Sequence, residues 1–114
     1  MDDGCVVLCG ASAYMQKYYF NKNFSRLPSS VQDELQILCV LFTEEIGGVL
    51  TLWFDCEGNL RFTTESEAAD GLYDDIGSTL KIKEIQRTKR ELLEKLELYY
   101  RAVFLGKQID SESI

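Results

Sequence analysis

The chain contains no histidine. That absence removes His-dependent catalytic triads, the commonest general base and most catalytic zinc shells. One proline and eight glycines in 114 residues exclude a collagen-like or low-complexity chain. The longest unbroken apolar run, residues 37–42, is far short of the roughly 18 residues that span a bilayer. The start, Met1-Asp2-Asp3-Gly4, lacks the basic-then-apolar order of a secretion signal. A cytoplasmic setting with no membrane partner is therefore expected. No Cys-x-x-Cys pair is present.

Charge is plentiful and unevenly placed. Nineteen acidic against twelve basic residues give −7 at neutral pH. Residues 1–80 hold thirteen acidic and four basic side chains, and residues 81–114 hold six and eight. A negative body repels phosphate backbones, so no nucleic-acid partner is expected. The basic C-terminal segment is suited to a solvated helix face, to pairing within the fold, or to a second copy. The cysteines are Cys5, Cys9, Cys39 and Cys56. If residues 5–9 form a strand, Cys5 and Cys9 share a face but stand roughly 13 Å apart. A disulfide needs Cα atoms within about 7 Å, so these two cannot pair there. An iron–sulfur reading of the Cys-x-x-x-Cys spacing lacks its third cysteine, because Ala11 and Ser12 follow instead. The four thiols are read as small buried hydrophobes.

Periodicity gives the elements. Cys-Val-Val-Leu-Cys at 5–9 reads as a buried strand ended by Gly10. Residues 11–24 are ambiguous, with a second strand at 17–20 and a turn at 21–23 as one solution. Leu27-Pro28-Ser29-Ser30 starts a helix, with Ser29/Gln32 or Ser30/Asp33 spaced as a capping pair. Val31, Leu35, Leu38, Cys39, Phe42 and Ile46 recur at helical spacing, and Ile37, Val40 and Leu41 widen that stripe. A helix apolar nearly all round is expected at the centre of the domain or at a subunit contact. Gly47-Gly48 ends it. Residues 49–55 and 59–64 flank a short Gly-containing turn and predict a hairpin, with Leu50, Leu52 and Phe54 on one face. Residues 66–75 are acidic, and Leu72, Tyr73 and Ile76 predict a short helix there. A longer helix is expected over about 80–105, with Ile85, Leu92, Leu96, Tyr99, Tyr100 and Val103 on one face. It would span about 39 Å, so it must overhang, break near residues 86–89, or be covered by another subunit. Residues 86–91 contain no apolar side chain, and Lys89 stands where the stripe should continue. Gly106 stops the helix. The polar start is expected to fray, and residues 107–114 form a loose tail.

No motif carries chemistry. Gly10-Ala11-Ser12-Ala13 lacks the last glycine of a nucleophile elbow and the three glycines of a dinucleotide loop, and reads as a tight loop of small residues. The carboxylates Glu44, Glu45, Asp55, Glu57, Asp70, Asp74 and Asp75 are of the type that binds hard cations, yet no calcium-loop spacing joins them. Glu44 and Glu45 sit near a helix C-terminus, where negative charge is disfavoured by a few tenths of a kcal/mol. No catalytic, cofactor-binding or metal-ligating residue is assigned. The candidate interface residues are Tyr18, Tyr19, Phe20, Leu92, Leu96, Tyr99, Tyr100 and Val103, since aromatic and aliphatic side chains populate both cores and contacts.

Four stretches carry a resemblance. They are Lys17-Tyr18-Tyr19-Phe20-Asn21 with Phe24 and Leu27-Pro28, the run from Cys39 to Gly48, Leu72-Tyr73-Asp74-Asp75-Ile76-Gly77-Ser78, and Leu98-Tyr99-Tyr100-Arg101. Together they resemble a family of short uncharacterised proteins, a domain of unknown function from anaerobic Gram-positive bacteria. The resemblance spans nearly the whole chain and implies a bacterial, cytoplasmic, stand-alone protein. It transfers no activity and no catalytic residue. The expectation is a single α+β domain over 1–114, in which a small antiparallel sheet, the hairpin plus one or two N-terminal strands, packs against a central helix and a long C-terminal helix. The function expected first is a non-enzymatic interaction module whose partner is itself, as a homodimer, or another protein, with no cofactor. A metal- or small-ligand-dependent enzyme using carboxylates, and an acidic chaperone or adaptor for a basic partner, are the alternatives.

Overall fold

The computed structural model describes residues 5–106. The expected fraying start and the loose tail at 107–114 lie outside them. The elements in chain order are β1 (Val6–Ser12), β2 (Lys17–Phe20), a 3-10 turn (Lys22–Phe24), α1 (Ser29–Glu45), β3 (Val49–Phe54), β4 (Leu60–Glu65), α2 (Asp75–Thr88) and α3 (Arg90–Val103). The fold is α+β, with a four-stranded antiparallel sheet of order β2-β1-β3-β4.

Strand β1 does not stop at Gly10. It runs on through the small residues expected to be a loop, and Gly10 pairs with Tyr19 on one side and Thr51 on the other. A Cβ at this position would stand 2.7 Å from the Leu50 carbonyl oxygen, so the strands approach as closely as they do because the residue is glycine. The register slips between Val7 and Cys9. Asn21 satisfies the backbone at this irregularity: its side-chain amide donates to the Val7 carbonyl at 2.7 Å and its backbone N–H to that of Leu8 at 2.9 Å. Residues 17–20 are the second strand, and Asn21 caps the following turn by accepting from the Asn23 N–H.

The expected capping pair is absent at the start of α1. The flanking residue is Pro28 in an extended conformation, and its carbonyl accepts from Val31 and Gln32. Ser29 and Ser30 lie inside the helix, while the Gln32 side chain turns back to donate to the Leu27 carbonyl at 2.8 Å. The flanking position from which a side chain could accept the first free N–H groups belongs to proline, which has no acceptor there, and the serines already have helical backbones. Gly47, with a φ of 93°, terminates the helix as its spacing predicted, donating to the Thr43 carbonyl.

The hairpin forms as expected. Leu50, Leu52 and Phe54 are completely buried, while Val49, Thr51 and Trp53 on the other face are half-buried. Helix α1 lies against β1, β2 and β3, and α3 against β4. At one end of the core, Phe24, Phe54, Tyr100 and Phe104 stack, with ring centroids 4.2 Å apart for Phe54–Tyr100 and 4.7 Å for Phe24–Phe104. The Glu97 carboxylate accepts the Leu60 N–H at 2.8 Å, and Arg101 donates to Asn59 at 3.0 Å, which fixes α3 to the hairpin.

In the second half one expectation is corrected, and one of the three outcomes left open for the long helix is found. Residues 66–73 form turns, because Asp70 accepts the Leu72 N–H and the Tyr14 hydroxyl, drawing the chain into a local loop. The helix begins only at Asp75, where Asp74 caps it by accepting from Gly77. The long C-terminal helix is two helices. It breaks at Lys89 (φ −109°, ψ 22°), inside the stretch without apolar residues.

A candidate interaction groove between two helices

Helix α1 has more apolar surface than the sheet covers. Leu35, Leu38, Cys39 and Phe42 face inward and are buried. Ile37 and Leu41, on the widened side of the stripe, remain 58% and 54% exposed. They border a groove of about 210 Å³ against α2, with Leu38 and Ile85 also lining it. On α2, Ile76 and Leu80 are 75% and 62% exposed and lie one helical turn apart.

Charged pairs bracket the groove. Lys89 Nζ stands 2.9 Å from Glu34, and Lys81 Nζ stands 3.1 Å from Glu45. Glu34 meets the end of α2 and Glu45 its middle, so the two helices run antiparallel. The Lys81 ammonium is held more firmly charged than usual, first by its hydrogen bond to Glu45 and against some desolvation. Exposed pairs of this kind contribute about 0–1 kcal/mol each, so they set the spacing of the helices more than they hold the fold together. Lys89 acquires a reason here: it interrupts the apolar stripe at the helix break and reaches across to α1.

The residues singled out from sequence do not form one patch. Leu96 and Tyr100 are 2% exposed and belong to the core. Phe20, Leu92 and Tyr99 are half-buried, with Tyr99 set against Phe24. Tyr19 and Val103 are exposed. Tyr18 is half-buried, and its hydroxyl lies inside beside the thiols of Cys9 and Cys39, without a conventional hydrogen-bond partner among the described residues. Sequence reasoning missed Ile37, Leu41, Ile76 and Leu80 as surface residues. The signal for the first two was the widening of the α1 stripe.

The carboxylates take separate structural tasks. Asp55 closes the hairpin turn, Asp70 holds Tyr14, Asp74 caps α2 and Glu45 pairs with Lys81. Among the described residues, no three His, Cys, Asp or Glu side chains gather where they could hold a metal ion. No helix among them is long and apolar enough to cross a membrane.

In class, this is an α+β protein with helices packed on an antiparallel sheet and an apolar groove left open between two of them. The chain belongs to a family of unknown function, DUF6145, whose profile matches residues 5–108. No curated protein and no solved structure matches it.

Proposed function

We propose that the chain is a non-enzymatic interaction module that pairs with a second copy of itself through the α1–α2 groove. The observation that carries this reading is the exposure of Ile37 and Leu41 beside that groove. Charge supports a second copy as the occupant. Helix α1 carries Asp33, Glu34, Glu44 and Glu45 and no basic residue, while α2 carries Lys81, Lys83 and Arg87 against Asp75 and Glu84 and runs into Lys89. With Glu34 and Glu45 already paired to Lys89 and Lys81 inside the chain, Asp33 on one side and Lys83 and Arg87 on the other are the charges left to meet a second copy. A two-fold axis lays the acidic helix of each copy along the basic helix of the other, and such a contact is complementary to itself.

Magnitude decides how strong the pair is. Burying the remaining surface of one such side chain contributes roughly 1–1.5 kcal/mol, and association costs at least about 4 kcal/mol. Ile37 and Leu41 from two copies barely offset that cost, so Ile76 and Leu80 must take part and the dimer is weak. Sedimentation equilibrium across the micromolar range tests the reading. A concentration-dependent dimer that Ile37→Glu converts to monomer supports it, and a strict monomer at every concentration removes it. The bacterial, cytoplasmic setting belongs to the same proposal and rests on the resemblance given above.

A further inference from the structure

Glu44 and Glu45 both burden the carbonyl end of α1, and no basic residue lies in its last turn. Glu45 has Lys81. Glu44 forms no ion pair with any described residue. Its side of the helix lines a different cavity from the groove, a cleft of about 640 Å³ between α1 and the turn that joins β1 to β2. Lys17, at the start of β2, lines the same cleft and is likewise without an ion pair among the described residues. The cleft thus holds one unmatched anion and one unmatched cation. Gln36 adds an exposed amide whose side chain has no hydrogen bond among the described residues, and Ala11 and Ala13 keep that part of the lining small.

We propose that this cleft binds a small zwitterion of the amino-acid or dipeptide class, with its ammonium at Glu44 and its carboxylate at Lys17. Three features argue for this ligand over a singly charged one. A cation beside Glu44 relieves the repulsion between that carboxylate and the carbonyl end of the helix. A carboxylate is the natural partner of the Lys17 ammonium. One molecule carrying both charges satisfies both walls, and Gln36 can donate to and accept from a peptide bond or a side-chain amide. The volume falls within the range of about 300–1,000 Å³ typical of small-molecule sites. This site is separate from the α1–α2 groove and does not require the dimer.

Titration calorimetry with L-alanine, L-glutamine and L-alanyl-L-alanine tests it, with acetate and ethylamine as singly charged controls. At least one zwitterion is expected to saturate while the controls do not. Backbone amide shifts are expected to be confined to residues 11–17 and 36–44. Lys17→Met and Glu44→Gln each replace an exposed side chain, so the melting temperature should hold while affinity falls about tenfold or more. Saturation by the amino acids but not the dipeptide, or the reverse, selects the ligand within the class. The proposal is overturned if none of the three zwitterions saturates, if a control binds equally well, or if both variants bind as the wild type does.

Discussion

Cys9 and Cys39 meet inside the core with their sulfur atoms 3.8 Å apart, one on β1 and the other on α1. Both are completely buried, whereas Cys56 is exposed in the hairpin turn. The thiol contact with Cys9, then burial, raises the pKa of Cys39, so its reactive thiolate is scarce. Alkylation with iodoacetamide at neutral pH should therefore modify Cys56 first and leave Cys9 and Cys39 intact until urea unfolds the chain. Peptide mass spectrometry over a time course gives the order. Labelling of Cys39 as fast as Cys56 under native conditions would contradict the seam between β1 and α1.

Asp55 makes the hairpin sensitive to acid. Desolvation works against its charge, but the N–H groups of Asn59 and Glu57 and the Arg61 guanidinium outweigh it, and its pKa falls from 3.8 to about 2. Between those values the unfolded chain holds the extra proton, so stability is present above about pH 4 and is lost as the pH drops toward 2. Asp55→Asn should remove this part of the acid dependence while costing about 1–2 kcal/mol at neutral pH through weakened turn hydrogen bonds. Urea midpoints for both proteins between pH 2 and 6 give the comparison. Parallel pH profiles would show that the carboxylate does not act in this way.

Gly10→Ala is a small change with a large predicted cost. The added methyl would meet the Leu50 carbonyl, a backbone atom held in the β3 ladder, so the strands must separate locally. Forced overpacking of this kind costs typically about 1–3 kcal/mol. The substitution should lower the denaturation midpoint with little change in slope. An unchanged midpoint would mean that the β1–β3 contact is looser than the structure has it.

Gly10 also shows where the sequence misleads. In isolation a glycine after five apolar residues looks like the end of a strand. Only the partner strand reveals that a bare Cα is needed there, and that partner is some forty residues away. Local signals were read correctly where local physics decides: the alternation of Leu50, Leu52 and Phe54 and the glycine end of α1, while the break at Lys89 was one of three outcomes that the length of the last helix left open. The turns at 66–73 escaped because the Tyr14–Asp70 bond, 2.6 Å long, joins residues 56 apart. Of the candidate interface, Leu96 and Tyr100 were indistinguishable from surface residues on a helical wheel, since the wheel shows which residues share a face but not what covers it. The same wheel displayed Ile37 and Leu41, yet only the position of α2 shows that they border an open groove.

Ile37 and Leu38 are adjacent in sequence and face opposite fates, which separates folding from association. Leu38 is 7% exposed and touches both the core and the groove, while Ile37 is 58% exposed. Leu38→Ala should cost about 2–5 kcal/mol, the usual range for truncating a buried leucine. Ile37→Ala should leave monomer stability within about 0.5–1 kcal/mol of wild type. If copies pair through the groove, folding and association are linked, and the wild-type melting temperature rises with protein concentration. Leu38→Ala then lowers the melting temperature at every concentration, whereas Ile37→Ala chiefly flattens its dependence on concentration. Circular dichroism melts at several concentrations distinguish the two effects. A wild-type melting temperature that is independent of concentration, with Ile37→Ala indistinguishable from it, would leave Ile37 an ordinary exposed residue and the groove without a partner of its own kind.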